Sequence, residues 1–184
     1  SNGSIDLDRE YYCENGTYNV PNLRRNRKIV DHESRDTLSV KEILAHSSNI
    51  GLVKISSDIG KEDIYKMLKS FGFGQGAGID SYYEDSGLLK DLDKWDDHSL
   101  ISIPIGQELR VTNLQIAMAY SAIANEGYLL KPKVIVENSH EDKDDPQIIR
   151  KIANKQDIDL LIESLKMVVT DGTAAPAMNN NSVC

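Results

Sequence analysis

The residues whose types and spacing could do chemistry are Ser47-Ser48-Asn49, two hydroxyls followed by a carboxamide at the junction of two predicted helices. A serine hydroxyl is a weak nucleophile at neutral pH and needs an adjacent base before it can react. Serine and asparagine are also common at helix starts, where their side chains cap unpaired backbone N–H groups. Taken alone, the triplet favours such an N-cap, with either Ser47 or Ser48 in that position.

Metal and disulfide chemistry have little support in the sequence. The four histidines lack HExxH spacing. Cys13 and Cys184 are too few and too far apart for a CxxC metal site or a disulfide framework. We therefore expect no metal ion and no cofactor. Whether the two cysteines pair is left open, because pairing would require the chain ends to meet.

Three segments resemble binding loops only superficially. Residues 72–78 are rich in glycine, but no GxGxxG fits and a helix precedes them, so we expect a tight turn. Residues 82–97 are rich in acids without the spacing of a calcium-binding EF-hand loop, which favours solvated surface. The basic cluster at residues 24–28 has no interleaved aromatic residues and predicts a solvated loop.

The composition limits the classes of protein that remain. The 184 residues include 21 Lys+Arg and 29 Asp+Glu, a formal charge of −8, which argues against a general nucleic-acid binder. The length fits one domain or a large piece of one, and 40% hydrophobic residues argue against disorder. No apolar run approaches the length that spans a bilayer, and residues 1–10 lack a signal pattern. As given, we expect a soluble chain.

Apolar spacing and capping residues predict mainly helices. Two capping boxes, Ser39 with Glu42 and Thr112 with Gln115, each mark a helix start. Helices are predicted at residues 39–45, from 47 or 48 to 59, 61–71, 114–125 and about 158–171. The helix at 114–125 is apolar almost all round, so we expect it to be buried on every side. Residues 134–136 and 148–149 predict one hairpin around an acidic turn, with short extended candidates at 11–13 and 18–20.

The order of these segments resembles a known family. Residues 38–51, LSVKEILAHSSNIG, are similar to the Ser-x-Asn region of class B penicillin-binding proteins, the serine transpeptidases that cross-link bacterial peptidoglycan. Blocks that match in the same order lie at residues 13–16, 29–32, 64–74, 78–87, 105–107 and 111–127. The resemblance covers essentially the whole chain and is nearest to the division-type branch, although elongation-type relatives share much of the pattern.

The resemblance implies a fold and two site residues. The family has an α+β fold of the β-lactamase/transpeptidase type, and three motifs, Ser-x-x-Lys, Ser-x-Asn and Lys-Thr/Ser-Gly, surround one pocket. By this resemblance Ser47 is the serine that relays a proton between the lysine of the first motif and the leaving amine. Asn49 is the asparagine that holds that lysine and the substrate amide, and Ser48 is the variable middle residue. No cofactor or metal is needed for this acyl transfer.

The other two motifs are absent from the sequence. No lysine has a serine three residues before it, and neither Lys-Thr-Gly nor Lys-Ser-Gly occurs. Residues 170–173, Thr-Asp-Gly-Thr, resemble this motif only superficially. In the family, these motifs flank the stretches that resemble residues 1–16 and 179–184. We therefore interpret residues 1–184 as a single partial domain, an internal fragment between the two motifs. It would form a mainly α-helical lobe with one small β-hairpin and no central sheet, and we expect it to be inactive alone.

The resemblance also implies partners for the parent protein. These are peptidoglycan stem peptides, β-lactam antibiotics and cell-wall synthesis or division proteins, with no nucleic acid. The parent would act on the outer face of the bacterial cytoplasmic membrane, anchored by an N-terminal transmembrane helix outside this chain. A further hypothesis is that the fragment self-associates through an exposed apolar face.

Two alternatives stay open. One is a non-catalytic helical scaffold or pseudo-enzyme module, and the other is a penicillin sensor or β-lactamase relative. The block that starts at Thr112 makes the second less attractive, because hydrolases of this fold do not usually resemble it.

Overall fold

The computed structural model describes residues 6–21, 27–79, 83–133 and 146–179. In these ranges the strands are β1 Glu10–Tyr12, β2 Thr17–Val20, β3 Arg27–Val30, β4 Thr37–Ser39, β5 Tyr128–Leu130 and β6 Ile148–Lys151. The α-helices are α1 Val40–Ala45, α2 Asn49–Ile59, α3 Lys61–Ser70, α4 Asp97–Ser102, α5 Asn113–Ala124, α6 Lys155–Thr170 and α7 Ala175–Asn179. Single turns of 3-10 helix lie at Glu14–Gly16, Leu92–Lys94 and Ile103–Ile105.

The chain forms two compact units. Of the described residues, unit 1 contains 6–21, 27–61, 93–108 and 160–179, and unit 2 contains 62–79, 83–92, 109–133 and 146–159.

Unit 1 builds its core from two antiparallel strand pairs and the helices beside them. β1 pairs with β4, with Tyr11 opposite Leu38, and β2 pairs with β3, with Tyr18 opposite Ile29. The core residues of this unit are Tyr11, Cys13, Ile29, Leu38, Val40, Ile43, Ile50, Val53, Ile55 and Ile101. β4 leads directly into α1, so the pairing of β4 with β1 fixes where α1 begins.

Unit 2 packs α5 against an antiparallel strand pair. β5 pairs with β6, and Leu129 of β5 is buried with Ala77, Met118 and Ala122 in the core of this unit. Gly127 has a φ of +87°, in the left-handed region that favours glycine, which lets the chain turn from the end of α5 into β5.

The two predicted capping boxes are confirmed, whereas the last helix begins at Lys155, three residues before its predicted start. Ser39 and Glu42 form the capping box of α1, and Thr112 and Gln115 form that of α5. The predicted stop at Gly60 is also confirmed, since it is the C-cap of α2 with a φ of +85°. Local hydrogen bonds between residues three apart are the feature that the sequence specified here.

The predicted strands need two corrections. The described residues contain three two-stranded sheets rather than one hairpin. The partner of β6 is β5, directly after α5, whereas residues 134–136 and their acidic turn lie outside the described residues. β5 was missed because its three residues, Tyr-Leu-Leu, do not alternate between polar and apolar.

Two predictions about surfaces also differ from the structure. α5 is not buried on every side, because only Gln115, Met118 and Ala122 are buried, whereas Ile116 is 41% and Tyr120 63% exposed. The basic cluster is not simply a loop. Arg27 lies in β3 and its guanidinium donates to Ser102 Oγ at 2.6 Å and to Gln107 Oε1 at 2.9 Å. The rest of that cluster, apart from Lys28, lies outside the described residues.

The glycine-rich and acidic segments carry no metal site among the described residues. Residues 72–78 form turns, as predicted, with positive φ at Gly72, Gly74 and Gly78. The later part of the acidic stretch includes the N-cap of α4, where Asp96 Oδ1 accepts the Ser99 N–H at 3.0 Å. No described helix combines the length and the apolar character needed to cross a membrane.

Candidate active site

The Ser47–Asn49 segment is a tight reversal between α1 and α2. His46 ends α1, and Ser47 adopts a left-handed conformation with a φ of +53°. Two backbone bonds close the turn, from the Ser47 N–H to the Leu44 carbonyl at 3.3 Å and from the Ser48 N–H to the Ile43 carbonyl at 3.0 Å. A left-handed backbone is unfavourable for a residue with a side chain, so surrounding contacts must hold Ser47 in place.

The N-cap of α2 is Ser48 and not Ser47. Ser48 is 3% exposed, its Oγ accepts the Gly51 N–H at 3.0 Å, and its hydroxyl donates to Asp31 Oδ2 at 2.5 Å. Ser47 is exposed, and within the described ranges its hydroxyl has no hydrogen-bond partner. Helix capping therefore explains Ser48 and leaves the Ser47 hydroxyl available to other groups.

Asn49 is the first residue of α2 and is half-buried. Its Nδ2 donates to the Val30 carbonyl at 3.2 Å. The bond joins α2 to the end of β3 and restricts the rotation of the Asn49 carboxamide. Ser47 in the turn and Asn49 at the start of α2 lie two residues apart, and their chemical roles remain a prediction.

Asp31 is a residue of this site to which the sequence analysis gave no role. Besides the Ser48 hydroxyl, its carboxylate accepts the Ile50 N–H, at 3.0 Å from Oδ1. The partners are 17 and 19 residues away in sequence, so no local pattern could have revealed the contact.

Cys13 lies next to Ser48, the N-cap residue of α2, with its Sγ 3.7 Å from Ser48 Oγ. The side chain is fully buried, and burial raises the pKa of the thiol, which therefore stays protonated at neutral pH. We assign Cys13 to the core of unit 1. Cys184 lies outside the described residues, so the pairing of the two cysteines stays open.

The start of α1 is also tightly held. The Ser39 hydroxyl donates to Glu42 Oε2 at 2.6 Å and the Ser39 N–H donates to the same oxygen at 2.8 Å. These two bonds, the hydroxyl first, lower the pKa of Glu42. A charged Glu42 at neutral pH completes the capping box and fixes the helix that leads into the turn.

The segment after α6 packs against the end of α1. The Thr173 N–H donates to the Ala45 carbonyl at 3.1 Å. Gly172 lies so close to the same carbonyl that a Cβ atom would collide with it, so glycine is required here. Residues 170–173 resemble a Lys-Thr/Ser-Gly motif only superficially in sequence, and in the structure Gly172 and Thr173 support the end of α1 that leads into the turn.

No base for Ser47 is provided by the lysine of α2. The Lys54 ammonium donates to Glu14 Oε1 at 2.7 Å and to the Tyr12 carbonyl at 2.6 Å. Lys54 is therefore bonded to these two groups and not to the Ser47 hydroxyl. The arrangement can present a hydroxyl and a carboxamide to a substrate, but the nucleophile and base of an acyl transfer would have to come from other groups.

The sequence pattern of the penicillin-binding protein transpeptidase domain matches residues 1–182. This chain belongs to the penicillin-binding protein transpeptidase family. The predicted resemblance to division-type class B penicillin-binding proteins is confirmed by this match together with the relatives and solved structures to which the chain is similar.

Similar relatives cover part or nearly all of the chain. It is 39% identical to penicillin-binding protein PbpB of Mycobacterium tuberculosis over 93 residues, which is 50% of this chain and 14% of that protein. It is 29% identical to stage V sporulation protein D of Bacillus subtilis over 180 residues, which is 94% of this chain and 27% of that protein. The chain thus spans little more than a quarter of these relatives at most.

Solved structures confirm the predicted fold class. A peptidoglycan glycosyltransferase structure from Burkholderia ambifaria matches 94% of this chain and 52% of its own with a TM-score of 0.81 and 23% identity, which supports the fold alone. Penicillin-binding protein 3 from Mycobacterium tuberculosis, solved in complex with aztreonam, matches 89% of this chain and 37% of its own with a TM-score of 0.74 and 27% identity.

Proposed function

We propose that this chain is part of a serine D,D-transpeptidase that cross-links peptidoglycan stem peptides through an acyl-enzyme and is acylated by β-lactams. One observation carries the proposal: in a chain of this family, Ser48 takes the capping role and Ser47 presents an exposed hydroxyl beside Asn49. Aztreonam bound to a similar penicillin-binding protein supports the β-lactam part of the proposal.

In the proposed reaction, a serine outside this chain attacks the carbonyl of the penultimate D-Ala, and its proton passes to a neighbouring lysine. Ser47 passes a proton from that lysine to the amine nitrogen of the terminal D-Ala, which leaves as the C–N bond breaks. The amine of a second stem peptide then attacks the ester carbonyl and forms the new C–N bond. The C–O bond to the serine breaks, and the proton lost by the amine returns through Ser47 and the lysine to the serine oxygen. Asn49 orients the lysine and the substrate amide through its carboxamide. No metal or cofactor takes part.

The parent protein, by this proposal, works on the outer face of the bacterial cytoplasmic membrane, held by a transmembrane helix outside residues 1–184. Its partners are peptidoglycan stem peptides and other cell-wall synthesis and division proteins. Residues 1–184 alone form no acyl-enzyme, because neither a Ser-x-x-Lys nor a Lys-Thr/Ser-Gly motif occurs in them.

Intact mass after incubation with excess benzylpenicillin tests the proposal. The 184-residue chain is compared with a version extended at both ends by the gene's own flanking sequence. We expect one drug adduct on the extended chain and none on the shorter one. A folded extended chain without an adduct would overturn the proposal in favour of the non-catalytic scaffold.

The roles of the two site residues are tested in the extended chain. Ser47→Ala should slow acylation by about 10²–10⁴-fold for loss of a positioned proton-transfer group. Asn49→Ala should also slow it, because the lysine and the substrate amide lose the carboxamide that orients them. Ser57→Ala is the matched control, because Ser57 lies on the exposed side of α2 and, among the residues that the structure describes, its hydroxyl bonds only to the Val53 carbonyl of its own helix. Equal rates for Ser47→Ala and Ser57→Ala would remove Ser47 from the mechanism.

A further inference from the structure

We propose that Asp31 is a positioning residue of the candidate active site, which fixes the start of α2 and thereby the placement of Ser47 and Asn49. The catalytic part of this inference rests on the proposed function. Asp31 touches neither of those two side chains in the described structure. It acts through the Ser48 hydroxyl and the Ile50 N–H, which its two carboxylate oxygens bind at 2.5 and 3.0 Å.

Two consecutive residues at the end of β3 hold three consecutive residues of the site. The Val30 carbonyl accepts from Asn49, while the Asp31 carboxylate accepts from Ser48 and Ile50. The first turn of α2 is thus attached along its length to one strand end rather than at a single point.

The strand end that makes these contacts is itself anchored. Val30 pairs with Thr17 of β2, and the Asp31 N–H donates to the Gly16 carbonyl at 3.1 Å. The carboxylate is therefore presented from paired backbone and not from a free loop. A hydrogen bond to an ionised acceptor is stronger than one to a neutral acceptor, and a negative charge is favourable at a helix N-terminus.

Ser47 depends on this anchor because its backbone is held from both sides. Before it, the turn is closed onto the Ile43 and Leu44 carbonyls, and after it, Ser48 is tied to Asp31. Without the carboxylate, the Ser48 hydroxyl would lose its acceptor at the end of β3 and keep the Gly51 N–H of its own helix and the 3.7 Å contact with Cys13 Sγ. The Ser48 N–H would stay bonded to the Ile43 carbonyl. The residue that follows Ser47 would then be held less firmly, with the Val30–Asn49 bond left as the link from β3 to the first turn of α2, and the direction of the Ser47 hydroxyl would become less defined.

The test uses the extended chain and three variants. Asp31→Ala removes both acceptors. Asp31→Asn is the conservative variant, because its amide oxygen can accept from Ile50 while its NH₂ group donates to Ser48 Oγ. Asp96→Ala is the matched control, since Asp96 caps α4 in the same unit through the Ser99 N–H and takes no part in the turn.

The rate of acylation by a fluorescent penicillin separates positioning from stability. Asp31→Ala should lower the first-order acylation step at saturating drug by at least about tenfold, because small displacements of reacting groups are costly. Asp31→Asn should stay within about threefold of the wild type, as its bonds are retained. Asp96→Ala should lower the thermal midpoint while the acylation step remains at the wild-type value. Equal acylation steps for Asp31→Ala and Asp96→Ala would overturn the inference.

Hydrogen exchange measures the structural part without any reaction. The amides of Ile50 and Gly51 should exchange at least about tenfold faster in Asp31→Ala than in Asp96→Ala, because local opening exposes them. Unchanged exchange there would overturn the inference even if acylation fell. A wild-type extended chain that is not acylated would overturn the proposed function and the catalytic role of Asp31 with it, while exchange would still decide whether Asp31 holds the helix start.

Discussion

A single glycine sets how closely α1 and α2 approach each other beside the candidate site. Gly51 lies in the first turn of α2 and faces Ile43 of α1, whose side chain is fully buried. A Cβ atom on Gly51 would lie 2.5–2.8 Å from three side-chain carbons of Ile43. The absence of a side chain at this one position therefore allows α1 and α2 to pack closely on either side of the turn that carries Ser47.

Gly51→Ala is expected to destabilise the domain by about 1–3 kcal/mol, because the added methyl overpacks a buried β-branched residue. The same change in an open helix would stabilise it by up to about 1 kcal/mol, so the sign of the effect is diagnostic. Urea unfolding of the transpeptidase domain measures the difference.

The control for this prediction removes the Ile43 side chain that the added methyl group would meet. Ile43→Ala should cost about 2–5 kcal/mol by itself, and the double variant Gly51→Ala/Ile43→Ala should be no less stable than Ile43→Ala alone. A stabilising Gly51→Ala, or strictly additive losses, would show that the two residues are not in contact.

One side chain links α5 to two loops of unit 2. Gln115 is 2% exposed, and its Nε2 donates to the carbonyls of Gly72, Gln75 and Ser86 at 3.3, 2.8 and 2.9 Å. Its Oε1 accepts the Thr112 N–H at 2.9 Å. The same residue thus completes the capping box of its own helix and satisfies carbonyls of the glycine-rich turn.

Gln115→Ala should destabilise the domain by about 2–4 kcal/mol, because buried carbonyls lose their donor. Gln115→Glu should cost more at neutral pH, since a carboxylate would face the same carbonyl oxygens. That extra cost should shrink as the pH falls toward the usual carboxyl pKa of about 4.3, because a protonated carboxyl can donate. Urea unfolding at neutral and at acid pH measures both effects.

Gln156→Ala is the control on α6, where the side chain is exposed and the expected change lies within about 0.5 kcal/mol. If Gln115→Ala proved as harmless as Gln156→Ala, the hydrogen bonds of Gln115 would not contribute to the stability of unit 2.

Exposed apolar side chains bear on the behaviour of the whole chain. α5 presents Ile116 and Tyr120, one helical turn apart, both well exposed. An apolar pair of this kind on a helix surface is a common site of association between proteins. The hypothesis that the 184-residue chain self-associates remains a prediction, and α5 gives it a definite location.

Self-association is measured by size-exclusion chromatography with light scattering over a range of concentrations. We expect oligomers of the 184-residue chain, and a shift toward monomer in the double variant Ile116→Gln/Tyr120→Gln. Tyr83→Gln, which removes a fully exposed aromatic residue elsewhere, should leave the oligomers unchanged. A clean monomer at high concentration would contradict the prediction, and an equal effect of Tyr83→Gln would contradict its placement on α5.

Only part of the candidate site could be predicted from sequence. Ser47 and Asn49 were identified through a family resemblance, whereas local preferences allowed either Ser47 or Ser48 to cap the helix. Ser48 is the N-cap in the structure, where its hydroxyl also binds the carboxylate of Asp31, 17 residues earlier in the chain at the end of β3. A contact across that separation leaves no periodic trace in the sequence.

The sequence by itself determined the family, both capping boxes and the stop of α2 at Gly60, because these depend on motif order or on residues three or four apart. Tertiary structure alone decided that β6 pairs with β5, that one side of α5 stays exposed, and that Gly172 supports the end of α1. The physical reason is the separation along the chain between the groups that interact. Caps and turns are satisfied by neighbouring atoms, whereas strand partners and burial depend on surfaces that come together only when the whole chain folds.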